Sequence, residues 1–382
     1  MPIYLDHNAT TPLDSRVLEA MMPHLTTHFG NPSSVHRWGR AARNALDAAR
    51  RQVGDLVGVP ASQVIFTSCA TEANNLALKG LCARLPAGRL LVSAVEHAAV
   101  LEPAQDLPNW LPGWRVESIP VDEQGVVRLD SLAQLLAQGD VRMVSVMAAN
   151  NETGVVQPIE AIAAQVRKAD ALFHCDAVQA AAKLPLNFAA SGAHAMSLSA
   201  HKLYGPKGVG ALVVDPALAI APGLIGGGQE QGLRGGTENL PAIVGFGAAA
   251  ELAATERQTR AAHTQQLRDK LETGLAQIPG ITVFGQQATR LPNTCQFGVA
   301  GMEGSAVQMG LDRQGLAVGT GSACHSSNGE PSHVLLAMGI AEDQARSAIR
   351  VSFGQDNTLD DVEKLLMALR NLNNSLPISA ML

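Results

Sequence analysis

Short apolar runs alternate with amphipathic stretches along the first two thirds of the chain. Stretches with helical spacing begin at Arg43, Thr71 and Pro158. Near-continuous apolar strands separated by helices are typical of βαβ units, so the pattern predicts a mostly parallel sheet covered on both faces. The predicted strands begin at Val64, Arg89, Arg142, Ala171, Ala195 and Gly210.

The pattern changes after about residue 257. A long charged helix, predicted from His263, is followed by short strands and by a last helix that begins at Leu359. This part of the chain therefore predicts a smaller α+β unit beside the larger α/β unit.

Composition excludes several classes of protein. The chain of 382 residues carries a net charge of −6, which argues against direct nucleic-acid binding because phosphate backbones select basic faces. No apolar run approaches the ~18 residues that a membrane helix needs, and the start of the chain has no signal-peptide pattern. The cysteines are odd in number and form no CxxC pair, which argues against a disulfide framework or a structural zinc site and favours a reducing cytosol. They are Cys69, Cys82, Cys175, Cys295 and Cys324.

Polar side chains that could take part in catalysis or ligand binding follow the predicted strands, at the point where each strand ends. In an open α/β sheet, ligands bind beyond the carboxyl ends of the strands, so these side chains are predicted to converge on one edge. They are Thr71, His97, Asn150, Asn151, Asp176, Gln179, Ser199, His201 and Lys202.

Lys202 lies between an apolar strand and the turn at Gly205-Pro206. A lysine in a partly apolar pocket is a candidate for a Schiff base with a carbonyl cofactor, because desolvation favours the nucleophilic amine. The alternative is a surface lysine before a turn.

Asp176 is a candidate partner for the same cofactor. Pyridoxal phosphate (PLP) needs an anion against its pyridinium nitrogen, and a strand-end aspartate upstream of the lysine suits that role. The alternative is a helix N-cap. Gln179 is either a partner of the ring's phenolic oxygen or a helix-surface glutamine.

A phosphate site is predicted where a helix begins at Thr71, with Ser199 and His201 as further donors. Simple capping of the helix by Ser68 or Thr71 is an equally good interpretation. His97 either stacks on a planar ring or is a core histidine.

The roles of one further segment and one further residue are not decided by the sequence. The glycine-rich stretch 223–239 lacks a P-loop pattern and by itself indicates only a flexible loop. Arg350 is either a bidentate carboxylate clamp or a surface arginine.

Taken in order, twelve motifs resemble those of the cysteine desulfurases of the nitrogen-fixation and iron–sulfur-cluster types, which are class V members of the PLP aminotransferase superfamily (fold type I). The resemblance covers Tyr4 to about Gly354. The motifs are YLDHNATTP, FGNPSSVH, TSCATEANN, VEHAAVL, NNETGVVQPI, HCDAVQAAAKLPL, SAHKLYGPKGVGAL, GGGQEQGLRGGTEN, LPNT, GTGSACHSS, EPSHVL and IRVSFG.

The resemblance implies the architecture. A large PLP-binding domain over residues 15–257 is expected, with a mostly parallel central sheet. A smaller α+β domain is expected from residues 1–14 and 258–382, and it carries the loop with the catalytic cysteine.

The resemblance also implies roles for individual residues. Lys202 would hold PLP covalently, Asp176 would pair with the pyridine nitrogen, Gln179 would contact the ring oxygen, and His97 would stack on the ring as a catalytic group. Asn151 and Arg350 would orient the substrate carboxylate, and Asn151 would also contact the cofactor. The phosphate would be bound by Ala70, Thr71, Ser199, Ala200 and His201, with Thr237 supplied by the partner subunit of a homodimer.

Cys324 would be the sulfur acceptor. A free thiol is only a few per cent ionised at neutral pH, and a mobile glycine- and serine-rich loop would let its thiolate attack the substrate sulfur and leave as a persulfide. The expected reaction converts L-cysteine to L-alanine. The expected partners are L-cysteine, a second copy of the chain and a sulfur-acceptor protein such as an iron–sulfur scaffold. During transfer to that scaffold, the Cys324 persulfide would be a transient ligand of the iron–sulfur cluster.

Other activities of the same fold stay open at this stage: a selenocysteine lyase, a transaminase, or an inactive scaffold. The intact set of Lys202, Asp176 and Cys324 disfavours a scaffold, and plain transamination needs no thiol. Departures from the family's usual residues occur at His7, Cys69, Gln231 and His325, and these leave rates and partner specificity undetermined.

Overall fold

The structure is a computed structural model, and it describes residues 2–320 and 330–374. Three sheets form within these residues, with two, three and seven strands. In chain order the strands are β1 (Ile3–Tyr4), β2 (Val64–Thr67), β3 (Arg89–Ser93), β4 (Arg115–Ile119), β5 (Val141–Ser145), β6 (Leu172–Asp176), β7 (Ala195–Ser199), β8 (Gly210–Val214), β9 (Ile281–Val283), β10 (Thr294–Val299), β11 (Leu316–Ala317) and β12 (Ala348–Ser352).

The helices alternate with the strands of the large sheet, as the apolar pattern predicts. Short 3₁₀ turns add Ala61–Gln63, Ala200–Lys202 and Glu230–Gly232. The α-helices are α1 (Ser15–Thr26), α2 (Arg37–Val57), α3 (Ala70–Cys82), α4 (Ala98–Gln105), α5 (Leu107–Trp110), α6 (Leu129–Ala137), α7 (Ile159–Lys168), α8 (Phe188–Ser191), α9 (Leu240–Leu275), α10 (Gly304–Asp312), α11 (His333–Ala337), α12 (Glu342–Arg346) and α13 (Leu359–Asn374).

The seven-stranded sheet has the order β2-β8-β7-β6-β5-β3-β4. Strands β4, β3, β5, β6 and β7 run parallel, whereas β8 is antiparallel to both of its neighbours. Strand β2 therefore points the same way as β7, and the carboxyl ends of β2, β3, β5, β6 and β7 share one edge. The prediction of a mostly parallel α/β sheet is confirmed.

Two elements differ from the sequence prediction. Strand β4 was not predicted, because this edge strand is largely exposed and reads RVESI, without an apolar run. The helix predicted from His263 is about the last third of α9, a continuous helix of 36 residues. The predicted domain boundary after residue 257 falls inside α9 and stays a prediction.

Separate apolar clusters lie under the large sheet and under the small ones. The three-stranded sheet, in the order β12-β10-β9, packs with α9, α10 and α13 around Leu271, Phe297 and Leu366. Leu5 belongs to this same cluster, so the amino-terminal segment folds against the carboxyl-terminal third of the chain. The same segment also contacts the large α/β unit, because Asn8 bonds with Asn151 and Gln179. Among the described residues, no helix combines the length and apolar character needed to span a membrane.

Candidate active site

A cavity of about 260 Å³ lies at the edge of the sheet where the parallel strands end. It falls near the lower end of the size range for small-molecule sites. Ten residues singled out from the sequence line it: Ala70, Thr71, His97, Asn151, Asp176, Gln179, Ser199, His201, Lys202 and Arg350.

Four other sequence-predicted residues do not line this cavity. Asn150 is buried, and its Nδ2 donates to the oxygen of Val95 at 2.9 Å. Ala200 is fully buried at the base of the turn that carries Lys202. Thr237 is exposed on the glycine-rich stretch. Cys324 lies outside the described residues.

Lys202 ends the 3₁₀ turn that follows β7, and its half-buried side chain reaches into the cavity. Its Nζ donates to the carbonyl oxygens of Asn8, at 2.5 Å, and Ala9, at 2.7 Å. Both acceptors are neutral main-chain groups of the amino-terminal segment. Lys202 is thus an amine placed inside the cavity and not on an open surface.

Asp176 is the last residue of β6 and is only 7% exposed. Its Oδ2 accepts from Asn74 Nδ2 at 2.8 Å, and its Oδ1 accepts the N–H of Val178 at 3.0 Å. The carboxylate therefore also caps the turn that follows the strand, although no helix begins there as the N-cap interpretation required. Both contacts fix its orientation toward the cavity.

Asn74 was missed from the sequence, although its spacing could have identified it. It lies three residues after Thr71 on α3, and positions three apart share a helix face. The side chain that faces the cavity beside Thr71 therefore also fixes Asp176.

Asn8 is a second residue that the sequence analysis missed. Its main-chain oxygen accepts from Gln179 Nε2 at 3.0 Å, and its Nδ2 donates to the oxygen of Asn151 at 3.1 Å. Its Oδ1 accepts from Lys183 Nζ at 3.0 Å, and burial together with the charge of Lys202 lowers the pKa of Lys183 well below its usual range. The only signal in the sequence was its place in the YLDHNATTP motif.

His97 is the N-cap of α4, with Nδ1 accepting the N–H of Ala99 at 3.0 Å. Burial lowers the pKa of His97, and the nearby Asp176 carboxylate opposes this effect. A neutral ring with an accepting Nδ1 carries its proton on Nε2. His97 thus presents a fixed, neutral imidazole to the cavity.

One end of the cavity is built to receive an anion. The N-cap of α3 is Cys69, whose side chain makes no capping bond, so neither Ser68 nor Thr71 is the cap. Ser199 Oγ is buried, and no hydrogen-bond partner for it occurs among the described residues. Helix N-terminal N–H groups and an uncommitted hydroxyl together form a phosphate-binding arrangement.

Two nearby residues complete this end of the cavity. Burial and the charge of Lys202 lower the pKa of His201 to about 4, so its ring is neutral at physiological pH. A Cβ on Gly210, at the start of β8, would lie 2.6 Å from the carbonyl carbon of Cys69. Glycine there lets β8 approach the start of α3 closely.

Arg350 lies on β12 and brings the carboxyl-terminal unit to the cavity. It is 2% exposed, and it donates from Nη1 to the oxygen of Asn151 at 3.1 Å and from Nη2 to Asp6 Oδ1 at 2.6 Å. A buried guanidinium in a cavity is a candidate partner for a ligand carboxylate. The surface-arginine interpretation is wrong.

His174 lies two residues before Asp176 on β6 and joins the neighbouring strands. Its Nδ1 lies 2.8 Å from Ser145 Oγ on β5, and its Nε2 lies 3.0 Å from Ser197 Oγ on β7. It is fully buried, and burial lowers its pKa to about 4.

We expect His174 to make stability depend on pH. Above pH 6.5 the ring is neutral in both folded and unfolded chains, and below it only the unfolded chain gains a proton until the pH nears 4. The free energy of unfolding should therefore fall by about 3 kcal/mol on this account as the pH drops through that window. Urea unfolding from pH 7 to pH 4.5 measures it.

The matched variant is His174→Gln, which keeps hydrogen-bonding capacity without the titration. The free energy of unfolding of this variant should depend less steeply on pH, because unfolding should take up about one proton fewer between pH 6.5 and pH 4. His201 should continue to titrate in the variant. An unchanged slope would contradict the assignment.

Comparisons with known proteins each cover more than nine tenths of the chain. A family model described as "Aminotransferase class-V" matches residues 3–365. A protein named "Cysteine desulfurase 2", from Trichormus variabilis, is 44% identical over 369 residues, covering 96% of this chain and 92% of that protein. A solved structure titled "NIFS-LIKE PROTEIN" superposes with a TM-score of 0.92 at 38% identity, over 98% of this chain and all of that one. Another, titled "SspA in complex with cysteine", has a TM-score of 0.81 at 32% identity, over 93% and 99% of the two chains.

Proposed function

The chain belongs to the aminotransferase class-V family, among its cysteine desulfurases, and from this premise we propose that it binds PLP through Lys202 and passes the sulfur of L-cysteine to Cys324. The observation that carries the proposal is the single cavity lined by the Lys202 amine, the Asp176 carboxylate and the Arg350 guanidinium. These groups match the aldehyde, the pyridine nitrogen and a substrate carboxylate respectively.

The residues present fit PLP. The uncommitted hydroxyl of Ser199 and the open start of α3 form the phosphate end. Asp176, held by Asn74, would keep a proton on the pyridine nitrogen, and the neutral ring of His97 would offer a flat face to the cofactor. When bound, PLP withdraws electrons from the substrate's Cα and so acidifies its Cα–H.

Each residue of the cavity then has a physical task. Lys202 would take the proton from Cα. Arg350 and Asn151 hold the substrate carboxylate, which fixes the Cα–H toward that amine. Gln179 Nε2 donates to the main-chain oxygen of Asn8. With PLP bound, the same N–H group would donate to the ring oxygen of the cofactor.

Sulfur transfer to Cys324 balances without an added oxidant. The Cys324 thiolate attacks the substrate sulfur, the C–S bond breaks, and its electron pair returns to the substrate carbon, which is protonated to give alanine. The substrate sulfur remains on Cys324 as a persulfide.

A direct assay tests the proposed function. Purified protein with PLP and a reductant should release alanine and sulfide from L-cysteine in equal amounts. Transamination would instead give a keto acid and leave the sulfur on carbon. A preference for selenocysteine, measured in parallel, would identify the alternative lyase. Absence of turnover on every one of these substrates would contradict the proposal.

We propose a homodimer in which Thr237 serves the partner's phosphate site. Stretch 223–239 is attached to its own chain by a buried ion pair. In this pair Arg50 Nη1 and Nη2 donate to the Glu230 carboxylate, at 2.6 and 2.5 Å respectively. The same stretch displays Ile225, which is 91% exposed, and the exposed Thr237. An anchored segment that exposes an apolar side chain is suited to contact another chain.

Complementation tests the dimer. Mixed dimers of inactive Lys202→Ala and inactive Thr237→Asp subunits should regain activity, since one of the two sites then has both residues intact. Re-association of either variant with itself is the control and should restore nothing. Full activity in a monomer, established by sedimentation under assay conditions, would contradict the prediction.

The remaining partners follow from the chemistry. We propose that a sulfur-acceptor protein, such as an iron–sulfur scaffold, takes the sulfur from the Cys324 persulfide. We also propose a reducing, cytoplasmic location, which the free thiols of Cys69, Cys82, Cys175 and Cys295 support.

A further inference from the structure

A buried polar contact holds the chain shortly after Cys324 in the sequence. Ser332 Oγ donates to Glu152 Oε2 at 2.5 Å, and both residues are 2% exposed. Ser332 is eight residues after Cys324 in the sequence and is the N-cap of α11. This contact thus holds the chain in place eight residues after the proposed sulfur acceptor. The stretch between Gly319 and Ser332 carries that acceptor.

Glu152 is itself held rigidly beside the active site. It follows Asn151, whose side chain lines the cavity. The Oδ1 of Asn150 accepts the N–H groups of Glu152, at 2.9 Å, and Thr153, at 3.0 Å. The Glu152 carboxylate also accepts from Gln296 Nε2 on β10 at 3.3 Å. One carboxylate therefore joins the turn 150–154, the three-stranded sheet and the start of α11.

The amino-terminal side of the same stretch is attached to β12, which in turn contacts the turn 150–154. Gly319, five residues before Cys324, exchanges main-chain hydrogen bonds with Arg350, at 2.7 and 3.0 Å. Arg350 in turn donates to the oxygen of Asn151. A Cβ on Gly319 would lie 2.9 Å from Asp6 Oδ1, so glycine permits this close approach.

A second contact ties α11 to the cavity wall. His333 Nε2 lies 2.9 Å from the main-chain oxygen of Glu96, the residue before His97. The carboxyl-terminal end of the stretch is therefore attached to Glu152 and Glu96, the neighbours of Asn151 and His97, whereas the amino-terminal end is attached to Arg350.

Packing alone would already hold α11 in place. Val334 and Leu335 are almost fully buried in the main apolar cluster. A buried carboxylate costs desolvation energy, and replacing such polar contacts by apolar ones is often neutral for stability. A directional bond between Ser332 and Glu152 fixes position and orientation, which apolar packing does less strictly.

We propose that Ser332 and Glu152 are positioning residues for sulfur transfer, setting Cys324 relative to the bound substrate without touching it. The inference rests on the proposed function, because it takes Cys324 as the sulfur acceptor. Small misplacements of a reacting group can cost up to about 10²-fold in rate. Loss of the contact should therefore slow the transfer step and spare the steps before it.

Rapid mixing separates those steps. For Ser332→Ala with PLP bound, the change in cofactor absorption on adding L-cysteine should keep its wild-type rate and its dependence on cysteine concentration. Persulfide on the Cys324 peptide, followed by acid quench and mass spectrometry, should form about tenfold more slowly. In steady state kcat should fall, with no rise in KM.

Conservative variants and a matched control sharpen the test. Ser332→Thr keeps the hydroxyl and should restore transfer to nearly the wild-type rate. Glu152→Gln keeps an accepting oxygen without the charge and should slow transfer by a smaller factor than Ser332→Ala. Asn187→Ala removes the N-cap of the short helix α8, far along the chain, and should leave transfer unchanged.

The outcomes distinguish this inference from the proposed function. Transfer in Ser332→Ala within twofold of wild type, or an equal slowing of the absorption change, would overturn the inference alone. If Ser332→Ala fails to fold, Glu152→Gln decides by the same two readouts. Wild-type turnover of L-cysteine without sulfur on Cys324 would overturn the proposed function itself, and the inference with it.

Discussion

Replacement of Lys202 by alanine should abolish cysteine turnover, with a fall of at least about 10⁴-fold. The variant loses two roles at once, because the same amine anchors the cofactor and moves the proton at the substrate's Cα. The cavity places this amine within reach of both, and its hydrogen bonds to the Asn8 and Ala9 carbonyls hold it there. Alanine and sulfide release measures the loss.

The covalent link gives a second readout for Lys202. In wild type, borohydride should fix PLP to the peptide that contains Lys202, as seen by mass spectrometry, and bleach the visible band. Lys202→Ala should show neither effect. The matched control is Lys207→Ala, which removes an exposed lysine five residues away and should behave as wild type.

Lys183 is the competing candidate for the anchor. Burial lowers its pKa, which favours the nucleophilic form, but its amine contacts Gln179 and Asn8 and does not line the cavity. Cofactor fixed to Lys183 would therefore refute the assignment to Lys202.

Cys324→Ala should lower alanine and sulfide release by several orders of magnitude, as expected when a covalent nucleophile is lost. Binding should survive, because none of the cavity residues described above is changed. The variant should thus keep PLP and still show the change in cofactor absorption when L-cysteine is added. Wild type treated with cysteine should gain about 32 Da, one sulfur atom, on the Cys324 peptide, and a reductant should remove it.

Cys69 is the control for the Cys324 assignment. It lines the cavity and is the N-cap residue of α3, so its thiol could compete as acceptor. Its position in a fixed strand-to-helix turn makes it a poor carrier of sulfur to another protein. Cys69→Ser should keep most turnover, and sulfur found on Cys69 in the wild type would refute the mechanism.

The sequence determined which residue types end the strands. Apolar runs of strand length, followed by Thr71, His97, Asp176 and Lys202, are local signals, and the rule that parallel strands share a carboxyl edge turns them into one site. The mostly parallel sheet was predictable for the same reason. The roles of these residues came from the motifs, because a lone lysine or aspartate has equally good structural uses.

Only the tertiary structure decided what surrounds those residues. The contacts that fix them join positions far apart in the chain, as when Asn8 meets Gln179 and Glu152 meets Ser332. Neither periodicity nor a local motif predicts a hydrogen bond between residues that are 171 or 180 positions apart in the sequence. The edge strand β4 and the unbroken helix α9 also escaped prediction, since packing against neighbours stabilises them more than their own pattern does. Local sequence thus supplied the reactive groups, and long-range packing set their orientation and their pKa values.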